Sequence, residues 1–302
     1  MSTAVRIALP AGYRVADVLA FHGRDLEGVA EQVSATGLRK GVMLGGVPTV
    51  LEIAFEKDAA ACRIVPDGPA TPALTAQAND ALLNILGLRI DPAGFAACAH
   101  ADAALGALLA RQPGLRIVQS ATVFEALTWA IIGQQINLTF AIALRRTLIG
   151  LAGRPHTSGL WCYPEAPDVA RLAPQELTSR KFSKAKADTI LRVAQLAADG
   201  DLSLDRSRDP AYVSEQLLAI KGIGPWTVNY VLLRGYGYPD CSLHGDVAVR
   251  AALHRLIGSA ERPTMPEAER LLQRYAPHRT MAAAYLWASL AEPAEKPGMS
   301  RD

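Results

Sequence analysis

The chain is poor in the residues that build metal clusters and disulfide frameworks. Its four cysteines, Cys62, Cys98, Cys162 and Cys241, are scattered, and none belongs to a Cys-x-x-Cys pair. That spacing argues against a zinc ribbon or an iron–sulfur cluster. Four reduced thiols in a cytosolic protein is the plainer reading. The stretch from Met1 to Tyr13 lacks the apolar block of a signal peptide. No apolar run approaches the ~20 residues of a membrane span. The expectation is a soluble, cytoplasmic protein with no membrane partner. Net charge is also scarce, at +2. So small an excess supports nucleic-acid binding only if positive charge is gathered on one face. Internal repeats and low-complexity tracts are missing as well.

What is abundant is alanine, leucine and hydrophobic residues in general, which make up 50% of 302 residues. That length leaves room for two or three domains with a good core, and the composition favours helix. The pattern along the chain is α+β. Residues 1–73 read as a small domain on an antiparallel sheet, with strands near 6–9, 37–43, 47–55 and 62–65, a turn at Gly45-Gly46 and a helix at 15–21. A second helix is expected to begin near Leu26. Pro66-Asp67-Gly68-Pro69 and Thr71-Pro72 mark a linker.

From 74 to 291 the pattern is helical almost throughout. Short helices are expected at 121–132, 137–151, 184–199, 210–219, 225–234 and 245–257 among others. Ser120, Ser183 and Asp209 stand as N-caps. Many short helices with short connections imply an orthogonal array, and residues 292–302 read as a flexible tail.

One segment stands out: Leu217-Leu218-Ala219-Ile220-Lys221-Gly222-Ile223-Gly224-Pro225-Trp226-Thr227-Val228-Asn229-Tyr230. The leucines end an apolar-faced helix. Gly222-Ile223-Gly224 makes a turn expected to be too tight for larger residues at both glycines. Pro225 suits the first turn of a new helix. The product is a helix–hairpin–helix over 210–234, whose turn offers backbone amides and a helix N-terminus to a phosphate oxygen. Twenty residues after Trp226 comes Asp246, in His244-Gly245-Asp246-Val247. A phosphate anchor followed by a lone carboxylate points to chemistry at a DNA sugar.

This hairpin, with Leu232-Leu233-Arg234-Gly235 and Asp246 behind it, resembles the helix–hairpin–helix DNA glycosylase superfamily, and within it the 3-methyladenine DNA glycosylase II type. Three more segments carry the likeness in the right order: Pro113-Gly114-Leu115-Arg116; Phe124-Glu125-Ala126 through Ile132-Gly133-Gln134-Gln135; and Ala276-Pro277-His278-Arg279 with Tyr285-Leu286-Trp287. The resemblance implies a sheet domain followed by a mainly helical glycosylase fold in two subdomains, with the extruded base in a cleft between them. It also implies hydrolytic release of damaged bases from double-stranded DNA by a monomer at the nucleoid, without a catalytic cofactor. A structural sodium or potassium ion, held by the carbonyls of Leu218, Ile220 and Ile223, belongs to the same inference.

Individual residues acquire roles on this basis. Asp246 is the candidate catalytic group: a carboxylate stabilises the cationic sugar formed as an N-glycosidic bond breaks, or orients the attacking water. It is equally placed to cap a helix. Strand-nicking relatives such as endonuclease III carry a lysine at the hairpin position held here by Trp226. Its replacement implies a monofunctional enzyme that leaves an abasic site. Trp226 and Tyr230, four apart on one helix face, and Trp287 are candidates for the base pocket, where aromatic faces attract an alkylated, cationic purine. A core aromatic pair is the plainer alternative, and Tyr285 ranks below Trp287.

Gly222, Gly224 and Thr227 are expected to present amides to a phosphate. Gln134 and Gln135 occupy the place of the side chain that fills the gap left by an extruded base. The related type has leucine where this chain has Gln135. Arg180, Lys181, Lys184, Lys186 and Arg192 form a basic stretch, opposed mainly by Asp188, that tracks a phosphate backbone or is simply solvated. His244 has no assigned role. Two other readings stay open: a non-catalytic helix–hairpin–helix DNA-binding protein, and a glycosylase for oxidised or deaminated bases.

Overall fold

The computed structural model describes residues 2–99 and 102–291; the expected flexible tail, 292–302, lies outside the described residues. Five strands, β1 (Thr3–Ala8), β2 (Glu31–Val33), β3 (Gly37–Leu44), β4 (Val47–Phe55) and β5 (Ala59–Pro66), form an antiparallel sheet in the order β1-β5-β4-β3-β2. Helix α1 (Val15–His22) links β1 to β2. The β3–β4 hairpin pairs Leu44 with Val47 across Gly45 and Gly46, whose φ values of 56° and 78° require residues without a Cβ penalty.

No helix begins near Leu26. That side chain is 97% exposed, and the Asp25 carboxylate accepts the Glu27 amide in a tight turn that delivers the chain into β2. The helical series is α2 (Pro72–Ile85), α3 (Ala93–Ala99), α4 (Ala103–Arg111), α5 (Val123–Gly133), α6 (Leu138–Ala152), α7 (Ala166–Ala170), α8 (Pro174–Thr178), α9 (Lys184–Asp199), α10 (Pro210–Leu218), α11 (Pro225–Val231), α12 (Val247–Ile257), α13 (Met265–Gln273) and α14 (Arg279–Ala291). The caps explain most boundaries. Asn137, Ser183 and Asp209 accept first-turn amides, while α5 is capped by Thr122 rather than Ser120. Residues 232–236 continue α11 as a π-helical turn that stops at Gly237, φ 72°. A two-stranded ribbon, β6 (Arg154–Pro155) with β7 (Trp161–Cys162), is an addition that no local signal announced. No described helix is long and apolar enough to cross a membrane.

The described residues fall into two compact units, one drawn from Met1–Ile90 and Arg116–Tyr238, the other from Asp91–Leu115 and Pro239–Asp302. The first of these units runs on past residue 73, where the linker composition sets a boundary. The sheet shares its core with α2: Leu51, Ile53 and Ile64 pack with Leu74, Ala78, Leu82 and Ile85. The β3 strand also extends beyond its partner β2 and bonds to the chain at β7, with the Met43 amide on the Tyr163 carbonyl and the Tyr163 amide on the Gly41 carbonyl. Gly41 has to be glycine, because a Cβ there would lie 2.1 Å from the Trp161 carbonyl oxygen.

A buried ionic group completes the connection. Lys40, of which nothing is exposed, donates to Glu31 at 2.5 Å and Glu125 at 2.8 Å, and Arg145 donates to the same two carboxylates at 2.6 and 2.8 Å. Burial pushes the Glu31 carboxyl up, but Arg145 and Lys40 outweigh it and hold the group well below the usual carboxylate range.

Candidate functional site

In the first unit the hairpin is built as its residues dictate. Asp209 accepts the Ala211 amide at 2.9 Å and starts α10. Ile220 and Ile223 are buried and anchor the turn, with the Ile223 amide on the Ile220 carbonyl at 3.0 Å. Gly222 has φ 97°, and a Cβ there would stand 2.2 Å from Thr189 Oγ1, so the chain itself demands glycine. Gly224 is different, and the expectation that its turn is too tight for a side chain is corrected. Its φ is −112° and a Cβ would meet nothing within 4 Å. Gly224 is the N-cap of α11, followed by Pro225. The amides of the first turn, including that of Thr227, have no intrahelical acceptor. The Thr227 side chain is buried.

Gln134 and Lys186 meet this hairpin from two other elements. Gln134 follows the end of α5, and its Nε2 donates to the Gly222 carbonyl at 3.0 Å and to Thr227 Oγ1 at 2.9 Å. Lys186, in the first turn of α9, donates to the carbonyls of Ile131 at 3.2 Å and Gln134 at 2.5 Å. Burial lowers its pKa. Gln134 and Lys186, expected to contact DNA, therefore commit these donors to the protein's own backbone and hairpin. Gln135 is exposed, with φ 55°. Lys184 is 83% exposed and pairs with Asp188 one turn away at 2.6 Å.

The expected aromatic pair is present and larger than anticipated. The Trp226 and Tyr230 rings lie 5.3 Å apart at 32°. Trp129 Nε1 donates to the Tyr230 hydroxyl at 3.0 Å. Two guanidiniums complete the group: Arg24 lies 3.9 Å from the Phe21 ring centroid and 5.5 Å from that of Trp129, and Arg234 lies 4.8 Å from Phe21 and 6.0 Å from Tyr230. Burial lowers the pKa of both arginines. Phe21, Arg24 and Trp129 escaped the sequence reading. Their one local signal was two aromatics on otherwise apolar helices and an arginine in the turn after α1, which is too common to count.

The second unit holds Asp246. It is the N-cap of α12, and its Oδ1 accepts the Val249 amide at 2.9 Å. The same oxygen accepts Trp287 Nε1 at 3.2 Å. The anticipated helix cap is thus present: it orients the carboxylate, and the indole fixes it from α14. Two residues before it, His244 Nδ1 shares a hydrogen bond of 3.0 Å with Ser242 Oγ. Tyr285 is buried and stacks on Phe95, ring centroids 5.4 Å apart, so it is a core residue. The structure brings together Asp246 with Trp287, Trp226 with Tyr230, and Gln134 with Gly222 and Thr227; Lys184 stands apart. A helix-capping carboxylate held by an indole can stabilise positive charge. A cluster of aromatic faces can stack on a planar heterocycle.

The profile of the HhH-GPD superfamily of base excision DNA repair proteins matches residues 128–278. DNA-3-methyladenine glycosylase of Bacillus subtilis (strain 168) is 32% identical over 179 residues, which is 58% of this chain and 59% of that protein. DNA-3-methyladenine glycosylase 2 of Escherichia coli (strain K12) is 29% identical over 188 residues, 62% of this chain and 64% of that protein. The match thus spans about three fifths of these curated relatives. Among solved structures, the 3-methyladenine DNA-glycosylase from Archaeoglobus fulgidus aligns with a TM-score of 0.79 and 22% identity, over 94% of this chain and 97% of that one. At that identity the likeness is one of fold.

Proposed function

The chain belongs to the HhH-GPD superfamily of base excision DNA repair proteins, and on that footing we propose that it is a monofunctional DNA glycosylase acting on alkylated bases of the 3-methyladenine and 7-methylguanine kind. The names of its relatives support the substrate class. The observation that carries the chemistry is Asp246, held by the α12 amide and the Trp287 indole. When the bond between C1′ and the base nitrogen breaks, its electron pair leaves with the base and positive charge develops on the sugar. The Asp246 carboxylate stabilises that charge. Water then adds to C1′ and gives up a proton, and the products are a free base and an abasic site. Trp226 stands at the position that the family likeness assigns to the lyase lysine, so no amine forms a Schiff base there.

Trp226, Tyr230 and Trp287 are the aromatic groups we assign to the base, each face contributing roughly 0.5–2 kcal/mol toward a cationic purine. The amides of Gly222, Gly224 and Thr227 are assigned to a phosphate, Gln135 to the gap left in the duplex, and Lys184 to the DNA backbone. The neutral carbonyl oxygens of Leu218, at the end of α10, and of Ile220 and Ile223, in the hairpin turn, suit a structural monovalent cation rather than a catalytic metal. The working unit is a cytoplasmic monomer on damaged duplex DNA.

One observation favours a second substrate class. Arg24 and Arg234 set two positive charges over the aromatic group. They oppose a cationic base and suit an uncharged, deaminated one. The deciding experiment presents duplexes carrying 3-methyladenine, 7-methylguanine or hypoxanthine, without added metal, and measures free base released. Release of the methylated purines is the expected result. Release of hypoxanthine alone favours the second class, and strand nicking before alkali treatment overturns the monofunctional assignment.

A further inference from the structure

The carbonyls at the end of a helix need partners from elsewhere. At the end of α5 the partner comes from another element: the Lys186 ammonium meets the carbonyls of both Ile131 and Gln134. The backbone then turns sharply, with Gln134 at φ −56°, ψ 125° and Gln135 in the left-handed region. The Gln134 amide reaches the other way, to a carbonyl on one side of the hairpin turn and a hydroxyl on the other. One turn along α9 from Lys186, Thr189 Oγ1 donates to the Ala185 carbonyl at 2.8 Å and lies 3.4 Å from that of Lys221, filling the space over Gly222. Residues three apart share a helix face. One face of α9 therefore supports the Gln135 turn with Lys186 and the hairpin with Thr189, and Gln134 joins the two.

We infer that Gln134, seated by Lys186, is a positioning residue: it fixes the exposed Gln135 side chain relative to the amides of the hairpin. The inference rests on the glycosylase reading, in which phosphate held at the hairpin and the gap filled by Gln135 belong to the same DNA molecule. Their spacing must match the duplex, and Gln134 with Lys186 sets it. Neither side chain needs to touch DNA for this. Two carbonyls take N–H donors of the Lys186 ammonium, which is half-buried.

The test uses the full chain and the variants Gln134→Leu, Lys186→Met and Gln135→Ala, singly and in pairs. Gln134→Leu keeps bulk and removes both donors. Lys186→Met leaves the Gln134–hairpin bonds in place and perturbs the same turn from α9. Three quantities are read: the single-turnover rate of base release, the affinity for undamaged duplex, and the fluorescence of 2-aminopurine beside an abasic-site analogue, which reports gap filling without excision. Gln134→Leu and Lys186→Met are each expected to reduce the release rate and the fluorescence change about tenfold, with affinity for undamaged duplex within twofold of wild type. In the Gln135→Ala background neither adds more than a twofold effect. Effects that multiply with Gln135→Ala overturn the inference. So does loss of undamaged-duplex affinity in Lys186→Met, the mark of a direct phosphate contact. A wild-type chain that releases no base yet shows the coupled fluorescence loss removes the glycosylase reading and leaves the positioning role standing.

Discussion

At the scale of single residues, the sharpest prediction concerns Asp246. Asparagine caps a helix about as well as aspartate, so Asp246→Asn keeps the Val249 and Trp287 bonds to a side-chain oxygen and removes the charge alone. Base release in a single turnover is expected to fall about a hundred- to a thousandfold, with the melting temperature and DNA affinity unchanged. A variant as fast as wild type removes Asp246 from the mechanism. His22 gives a second prediction. It is buried, its Nε2 meets no hydrogen-bond partner in the described structure, and burial with the nearby Lys40 charge holds its pKa well below 6.5. The unfolded chain takes up this proton at about 6.5 and the folded chain does not. Stability therefore falls as pH drops through and below that value. Thermal melts between pH 7.5 and 5 are expected to show the decline, and His22→Leu to flatten it. An unchanged slope in the variant places the acid sensitivity elsewhere.

At the scale of elements, the hairpin separates two glycines that look alike in the sequence. Gly222→Ala forces a left-handed alanine against Thr189 and is expected to cost about 1–3 kcal/mol of stability. Gly224→Ala meets nothing and is expected to stay within about 0.5 kcal/mol of wild type. Under the phosphate assignment it still weakens DNA binding, since a methyl group then stands at the helix N-terminus. Equal binding by Gly224→Ala and wild type in a salt titration counts against that assignment. The helices were largely legible because their signals are local. Ser183 before α9 and Asp209-Pro210 before α10 mark those starts within a residue. The strand β2 and the ribbon β6–β7 were not legible. Strands of two or three residues are too short to show an alternating pattern, so nothing in the sequence separates them from the turns they flank.

At the scale of the molecule, the first unit is a joint product of sheet and helices. Removing the Lys40 ammonium leaves Glu31 and Glu125 buried with Arg145 as their remaining cation. Lys40→Met is therefore expected to destabilise by about 3–5 kcal/mol, measured by urea unfolding; a cost under about 1 kcal/mol contradicts the buried-network account. A fragment ending at residue 73 loses Glu125, Arg145, the β7 segment along β3 and α2 under the sheet together. It is expected to give the circular dichroism of an unfolded chain. A folded, cooperatively melting fragment supports the boundary at 73 that the linker composition implied.

The sequence by itself determined the hairpin, the caps of α9 and α10 and the position of Asp246 at the head of α12. Each depends on a few neighbouring residues whose backbone preferences and hydrogen bonds act within one or two turns. Only the tertiary structure decided that Lys40 is a core residue, that Gln134 and Lys186 bond to the hairpin and to the end of α5, and that Trp129 meets the Tyr230 hydroxyl with Arg24 and Phe21 nearby. Those outcomes depend on burial and on partners as far apart as Trp129 and Tyr230, separated by 101 positions. No local pattern states which side chain will be taken out of water, because desolvation is a property of the packed chain.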